Sequence, residues 1–191
     1  GLQVVAGEPV DRALAGLADT EHPQGVIAVI EPPSWTLDRL TPRAGEAVVV
    51  LDGVQDPGNV GAIARTALGL GASGLIALKG TAELTNPKVL RGSMGALFRL
   101  PAVSATDAEC LAWTKRVGAV LWITDSDGER PGGQRPTAPV ALVLGNEGAG
   151  VRPELEREAS RRLAIPLSAG VESLNVAVAA GILLYEVRRD A

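Results

Sequence analysis

The sequence predicts an α/β fold, a mostly parallel sheet flanked by helices. Short aliphatic runs recur along the chain, they are near-continuous instead of alternating in hydropathy, and helical periodicity falls between them. A strand covered on both faces has no polar side to show, so unbroken runs of Val, Ile, Leu and Ala mark a parallel sheet between two helix layers.

In chain order, the first run is 26–30. Residues 31–45 hold three prolines and a polar centre, so they read as a linker ahead of the main domain. A strand follows at 47–51. Val60, Ile63, Ala64, Ala67 and Leu68 then form a stripe at helical spacing that stops at Gly69 and Gly71. Further strands are expected at 74–78, 119–124, 140–144 and 163–165, with helices at 107–117 and 153–160. The Gly- and Pro-rich stretch 125–139 reads as a mobile surface loop. In the final helix Val176, Ala179, Ala180, Leu183, Leu184 and Val187 repeat the stripe. Arg188 and Arg189 sit in its last turn, where the helix dipole favours cations.

With 191 residues, 46% of them hydrophobic, the chain is long enough to bury a core of its own. A single cysteine, Cys110, excludes an internal disulfide, and a single histidine, His22, excludes multi-histidine metal sites; no metal is expected. Cys110 is expected as a small apolar residue on a helix, and His22, just before a proline, as a turn residue. No apolar run approaches the ~20 residues that span a bilayer, and the first residues lack a basic, apolar leader pattern, so a cytoplasmic setting with no membrane partner is expected. The net charge of −4 requires any nucleic-acid site to be a local basic patch.

Ligands of parallel α/β sheets bind beyond the carboxyl ends of the strands. Three such ends bear the least generic sequence: DGVQDPGNVGAIARTA (52–67), GNEGAGV (145–151) and PLSAGVESLN (166–175). Glycine permits tight turns and close backbone approach to a ligand, while Asn, Glu, Ser and Arg supply polar contacts. Three loops of this kind at equivalent strand ends point to one composite site. GLGASG (69–74) matches G-x-G-x-x-G in letters, but it precedes a strand instead of opening a helix, so it fails the context of a dinucleotide fingerprint. No phosphate-cradling P-loop sequence is present.

These loops resemble the motifs of the SpoU/TrmH family of RNA ribose 2'-O-methyltransferases, within the SPOUT superfamily. The first motif is similar to NVGAIARTA (59–67), the second to LVLGNEGAGV (142–151), the third to IPLSAGVESLNVAVAAGILLYE (165–186), and NPKVLRGSMGALFRLP (86–101) is also family-like. The resemblance covers about 46–189. It implies a C-terminal deep trefoil knot that holds S-adenosyl-L-methionine (AdoMet), a homodimer, and methyl transfer to a ribose hydroxyl of RNA, with ribosomal RNA expected ahead of transfer RNA. It also implies that 1–45 are the remnant of an upstream RNA-binding domain and its linker, that 46–191 are the catalytic domain, and that the chain is an excised piece.

Carried over position by position, the resemblance assigns catalysis to Asn59, Arg65, Glu147, Ser173 and Asn175, and the cofactor to Leu144, Gly145, Asn146, Gly148, Ile165, Leu167, Ser173 and Leu174. RNA contacts fall to Arg65, Arg91 and Ser93. A guanidinium does not deprotonate in proteins, so Arg65 is expected to bind phosphate and stabilise developing alkoxide charge instead of acting as a literal base. Asn59 is also a candidate helix N-cap, Gly61 is expected to leave its side of the helix open, and Glu147 to orient Arg65 or a group of a partner chain. Arg157, Arg161 and Arg162 read as solvated faces. Three alternatives stand beside this reading: a transfer-RNA ribose methyltransferase, a non-catalytic dimeric module that binds RNA or a nucleotide, and a nicotinamide-cofactor enzyme resting on GLGASG alone.

Overall fold

The computed structural model describes residues 3–4, 28–29, 31, 33–132 and 136–188. The chain divides into two compact units, Gly1–Ser34 and Trp35–Ala191. In the first, β1 (Gln3–Val4) pairs antiparallel with β2 (Ala28–Val29). His22 and most of the 26–30 run lie outside the described residues.

The second unit is built on a six-stranded, all-parallel sheet. Its strands are β3 (Ala47–Leu51), β4 (Gly74–Leu78), β5 (Ala102–Ala105), β6 (Val120–Glu129), β7 (Val140–Leu144) and β8 (Arg161–Leu163), in the spatial order β5-β4-β3-β7-β6-β8. The three most aliphatic strands, β3, β4 and β7, are buried along their whole length. Because successive side chains point to opposite faces, one run feeds two cores. Val49, Leu51, Leu75, Leu142 and Leu144 pack with α1 (Pro57–Gly69) and α5 (Val176–Arg188). Val48, Val50, Ile76, Ala141 and Val143 pack with Cys110 and Trp113 of α3 (Asp107–Val117) and Leu155 of α4 (Pro153–Glu156).

Local sequence sets the helix ends. Asp56 caps α1, accepting a 2.7 Å hydrogen bond from the Gly58 amide, and Pro57 follows at the first helical position. Thr106 and Glu109 form a reciprocal capping box on α3, and Gly118 closes that helix in the left-handed conformation.

Several elements depart from the sequence expectation. β5 went unpredicted because Ala-Val-Ser-Ala lacks a bulky aliphatic run; pairing with β4 makes it a strand. The short α2 (Pro87–Gly92) shows no usable period, although its Asn86 cap and Pro87 were legible start signals. β6 runs on to Glu129, through residues read as loop, because Leu163 of β8 pairs with both Thr124 and Glu129. β8 lies at Arg161–Leu163 instead of 163–165, and α4 is one turn long. From Trp35 onward the expected linker packs on the domain: Leu40 is buried and its carbonyl accepts a 2.9 Å hydrogen bond from the Trp113 indole.

Candidate active site

A cavity of about 390 Å³ opens beside the middle of β6 and beyond the carboxyl ends of β7 and β8. Its walls come from the β7–α4 loop, the middle of β6, and the segment from β8 into α5. All eight residues expected to touch a cofactor line it: Leu144, Gly145, Asn146, Gly148, Ile165, Leu167, Ser173 and Leu174. They come from two loops separated by α4 and β8, and only tertiary folding brings them together. Glu147 lines the same cavity.

The β7–α4 loop has a defined internal structure. Asn146 and Gly150 exchange two backbone hydrogen bonds at 3.0 and 2.9 Å. The Asn146 side-chain oxygen accepts from the Gly148 and Ala149 amides, and its Nδ2 donates to the Gly53 carbonyl at 2.8 Å. The side chain of Asn146 is thus spent on shaping the loop. A β-carbon on Gly145 would lie 2.4 Å from the Gly150 carbonyl carbon, so only glycine lets the turn fold back. Beyond the loop, the Arg152 guanidinium and backbone amide both bind Asp52, whose side chain is 1% exposed; Arg152 also reaches Asp107 at 2.9 Å and the Lys79 carbonyl at 3.1 Å. This cluster fastens the loop to the ends of β3 and β4 and the start of α3.

Three motif residues meet at one point. Asn175 Nδ2 donates to Asn59 Oδ1 at 2.9 Å, and Asn59 Nδ2 donates to Glu147 Oε1 at 2.7 Å. Asn175 also caps α5, its Oδ1 accepting from the Ala177 and Val178 amides. Asn59 is not the cap of α1; Asp56 is, and the Asn59 amide is left to bridge the second and third motif loops.

Arg65 is exposed on α1, about 9 Å along the helix axis from Asn59. The carboxylate of Glu147 binds Asn59, where Arg65 or a group of a partner chain was expected. Gly61 does not leave a helix face open: a β-carbon there would stand 2.7 Å from the Val89 carbonyl and 2.9 Å from Gly92 Cα. It is a close α1–α2 contact. Arg91 lies on α2 with an exposed side chain, but Ser93 is fully buried and its hydroxyl donates to the Leu90 carbonyl at 2.8 Å, so it meets no phosphate here.

Sequence reasoning missed part of the cavity wall: Thr124, Asp125 and Ser126 in the middle of β6, Glu156 and Glu172. The signal was present in Asp-Ser directly after an aliphatic strand, hidden by the assignment of 125–139 to a loop. The Asp127 amide, and then the Arg162 guanidinium, hold the Asp125 carboxyl below its ordinary pKa, which keeps it ionised. Asp125, Glu147, Glu156 and Glu172 give the wall four carboxylates and no cation of its own, and Arg162 beside it pairs with Asp125 and Glu156. That charge suits a cationic ligand and opposes a dinucleotide diphosphate. GLGASG runs from the end of α1 to the start of β4, the amino end of that strand, which removes the nicotinamide reading.

Comparison with known proteins follows the same line. The model of the SpoU rRNA Methylase family matches residues 46–185. The 23S rRNA (guanosine(2553)-2'-O)-methyltransferase RlmP of Bacillus subtilis is 36% identical over 179 residues, 93% of this chain and 70% of that protein. The 23S rRNA (uridine(2479)-2'-O)-methyltransferase of Streptomyces viridochromogenes is 38% identical, and the match spans 89% of this chain but 62% of that protein. The crystal structure of an AdoMet-bound rRNA methyltransferase from Sinorhizobium meliloti superposes with a TM-score of 0.88 at 35% identity, covering 94% of this chain and 69% of the other. The chain thus spans about two thirds of the length of these relatives.

Proposed function

The chain belongs to the SpoU rRNA methylase family, and from that premise we propose that it transfers a methyl group from AdoMet to a ribose 2'-hydroxyl of ribosomal RNA. One observation carries the reading: the eight expected cofactor residues converge on a single cavity whose charged groups are all carboxylates. The apolar Leu144, Ile165, Leu167 and Leu174 suit the adenine, and the carboxylates suit the sulfonium and ammonium charges. Its volume falls within the range of small-molecule sites. Ribosomal RNA is preferred over transfer RNA because the S. meliloti rRNA enzyme superposes better than the Aquifex aeolicus tRNA-modifying enzyme, whose TM-score is 0.66.

Bound AdoMet supplies an electrophilic methyl group whose transfer to the ribose oxygen leaves a neutral thioether. The protein's task is to hold that oxygen in line and to favour loss of its proton. Arg65 stays protonated and stabilises the developing alkoxide while binding an adjacent phosphate. Asn59, fixed between Glu147 and Asn175, orients the ribose at the cavity mouth, and Ser173 contacts cofactor and substrate from the third motif. Arg91 binds RNA phosphate.

The same reading includes a homodimer, supported by Val178, Ile182 and Tyr185, which form an exposed apolar stripe on α5. A second chain on that stripe would bring further groups to Arg65. It includes a C-terminal trefoil knot, supported by the return of the chain from edge strand β8 to pack α5 against α1, β3 and β7. Residues 46–191 form the methyltransferase domain and 1–45 the region upstream that selects RNA. No described helix is long and apolar enough to cross a membrane, and ribosomal RNA as substrate sets the protein in the cytoplasm.

The test is a thermal-shift titration with AdoMet, S-adenosylhomocysteine and NAD, followed by methylation of 23S rRNA transcripts. AdoMet at 100 times its dissociation constant adds about 2.7 kcal/mol, a rise of roughly 5–10 °C for a domain of this size. NAD gives no rise. Arg65→Ala loses methylation about 100- to 1000-fold and keeps the AdoMet shift. No shift with millimolar AdoMet overturns the proposal.

A further inference from the structure

The chain is acidic overall, but its cations are not evenly spread. Helix α1 (Pro57–Gly69) and the stretch 86–101, which spans α2 and the turns after it, contain Arg65, Lys88, Arg91 and Arg99 and not one carboxylate. The two segments are in backbone contact through Gly61 and Gly92, where a β-carbon on Gly61 has no room. The contact thus brings together four cations from two segments that have no carboxylate of their own, on a protein of net charge −4.

The stretch 86–101 also displays apolar groups with no partner in the core. Met94 is 73% exposed, and it is the one non-glycine residue among those described with a left-handed backbone, φ +49°. Phe98, the only phenylalanine, is 40% exposed on the short 3-10 turn Ala96–Phe98. Folding alone favours neither feature: a long apolar side chain left in water gains no burial, and a side chain in the left-handed region is disfavoured unless the surroundings or a function require it. Ser93, just before Met94, is locked by its bond to the Leu90 carbonyl, and Leu97, just before Phe98, is buried. The backbone is thus anchored from within while Met94 and Phe98 project outward.

An aromatic and an apolar side chain set among cations match the chemistry of unpaired RNA, whose bases stack on apolar surfaces and whose phosphates pair with Arg and Lys. We propose that Met94 and Phe98, with Lys88, Arg91 and Arg99, form a docking platform for a single-stranded segment of the substrate RNA next to the methylated nucleotide. This rests on the methyltransferase reading above and adds a surface distinct from the cofactor cavity. The packing of α2 on α1 fixes the platform relative to Asn59 and Arg65, so a base seated on Phe98 would set which neighbouring ribose reaches the cavity.

The experiment uses the whole chain, in vitro transcripts of unmodified 23S rRNA, and the variants Phe98→Ala, Met94→Gly and Arg99→Ala, with AdoMet affinity measured alongside. Phe98→Ala raises the KM for RNA about tenfold, within the range of one lost base–aromatic stack, and leaves AdoMet affinity unchanged. Met94→Gly, which relieves the left-handed backbone, keeps or raises the melting temperature and still raises the KM. Arg99→Ala lowers the slope of log affinity against log salt by about 0.7, the value for one phosphate contact with a single strand. If the wild type methylates the transcript and all three variants keep its KM and salt slope, the platform is wrong while the function stands. If they weaken self-association instead, with KM unchanged, the face belongs to a second copy of the chain and the proposal is overturned. A wild type that binds no AdoMet sinks the function itself.

Discussion

Asn175 and Asn59, 116 residues apart in sequence, are joined side chain to side chain by a 2.9 Å hydrogen bond. Each also has a second duty. Asn175 caps α5, and Asn59 donates to Glu147 of the loop after β7. One amide pair thereby ties together the start of the last helix, the first turns of α1 and the β7–α4 loop.

Asn59→Ala removes both bonds from a half-buried position. Such bonds contribute little to folding, about 1 kcal/mol each, but on the proposed function they fix the orientation of a group that meets the ribose. We expect kcat to fall about 100-fold, with the melting temperature and the AdoMet affinity nearly unchanged. A fall in AdoMet affinity that matches the loss of rate would show instead that Asn59 serves the cofactor loop alone.

Arg152→Ala leaves Asp52 buried beside an empty space. Removal of one partner from a buried pair costs about 3–5 kcal/mol; Arg152 is itself partly exposed, so solvent screening brings the expectation down to about 2 kcal/mol. That corresponds to roughly 4–8 °C in melting temperature. Because the cluster anchors the loop that forms one wall of the cavity, AdoMet affinity should fall as well. Calorimetry of the variant with and without AdoMet separates the two effects.

Gly61→Ala forces a methyl group against the Val89 carbonyl. Alanine is the better helix former, so propensity alone favours the change by about 1 kcal/mol. Overpacking against backbone costs about 1–3 kcal/mol and wins. Thermal denaturation should show a loss where helix propensity predicts a gain.

Glu46 links stability to pH. The backbone amide of Arg43 and then the Ser73 hydroxyl donate to its carboxylate, at 2.8 and 2.7 Å, and hold its pKa below the ordinary 4.5. A carboxyl whose folded pKa is depressed adds stability above the unfolded value, and that stability is lost as pH falls through the folded value. Glu46→Gln should therefore be less stable than wild type at neutral pH. The gap should shrink as pH falls below the ordinary 4.5 and through the lower folded value; denaturant midpoints measured down an acid series check it, and a constant gap would refute the linkage.

Glu147 and Asp125 mark how far the sequence could be read. Glu147 sits in a motif dense in glycine and polar residues after an aliphatic strand, and that alone flagged a site. Asp125 does equal work on the cavity wall but follows a strand that continues, so the polar run Asp-Ser-Asp-Gly-Glu looked like a loop. Its strand character comes from β8, a partner remote in sequence. Ser93 differs in the opposite direction: the resemblance implies an RNA contact there, and the turn after α2 buries it.

The sequence by itself determined the layers and the site loops, because hydrophobic periodicity reports whether an element is covered on one face or two, and because turn and cap residues act on their immediate neighbours. Tertiary structure alone decided which groups meet: the four carboxylates of one cavity, the Asn175–Asn59–Glu147 chain, the Arg152 clamp and the Gly61–Gly92 contact. Each joins residues remote along the chain, and their distances depend on strand order and helix packing, which local propensity does not encode.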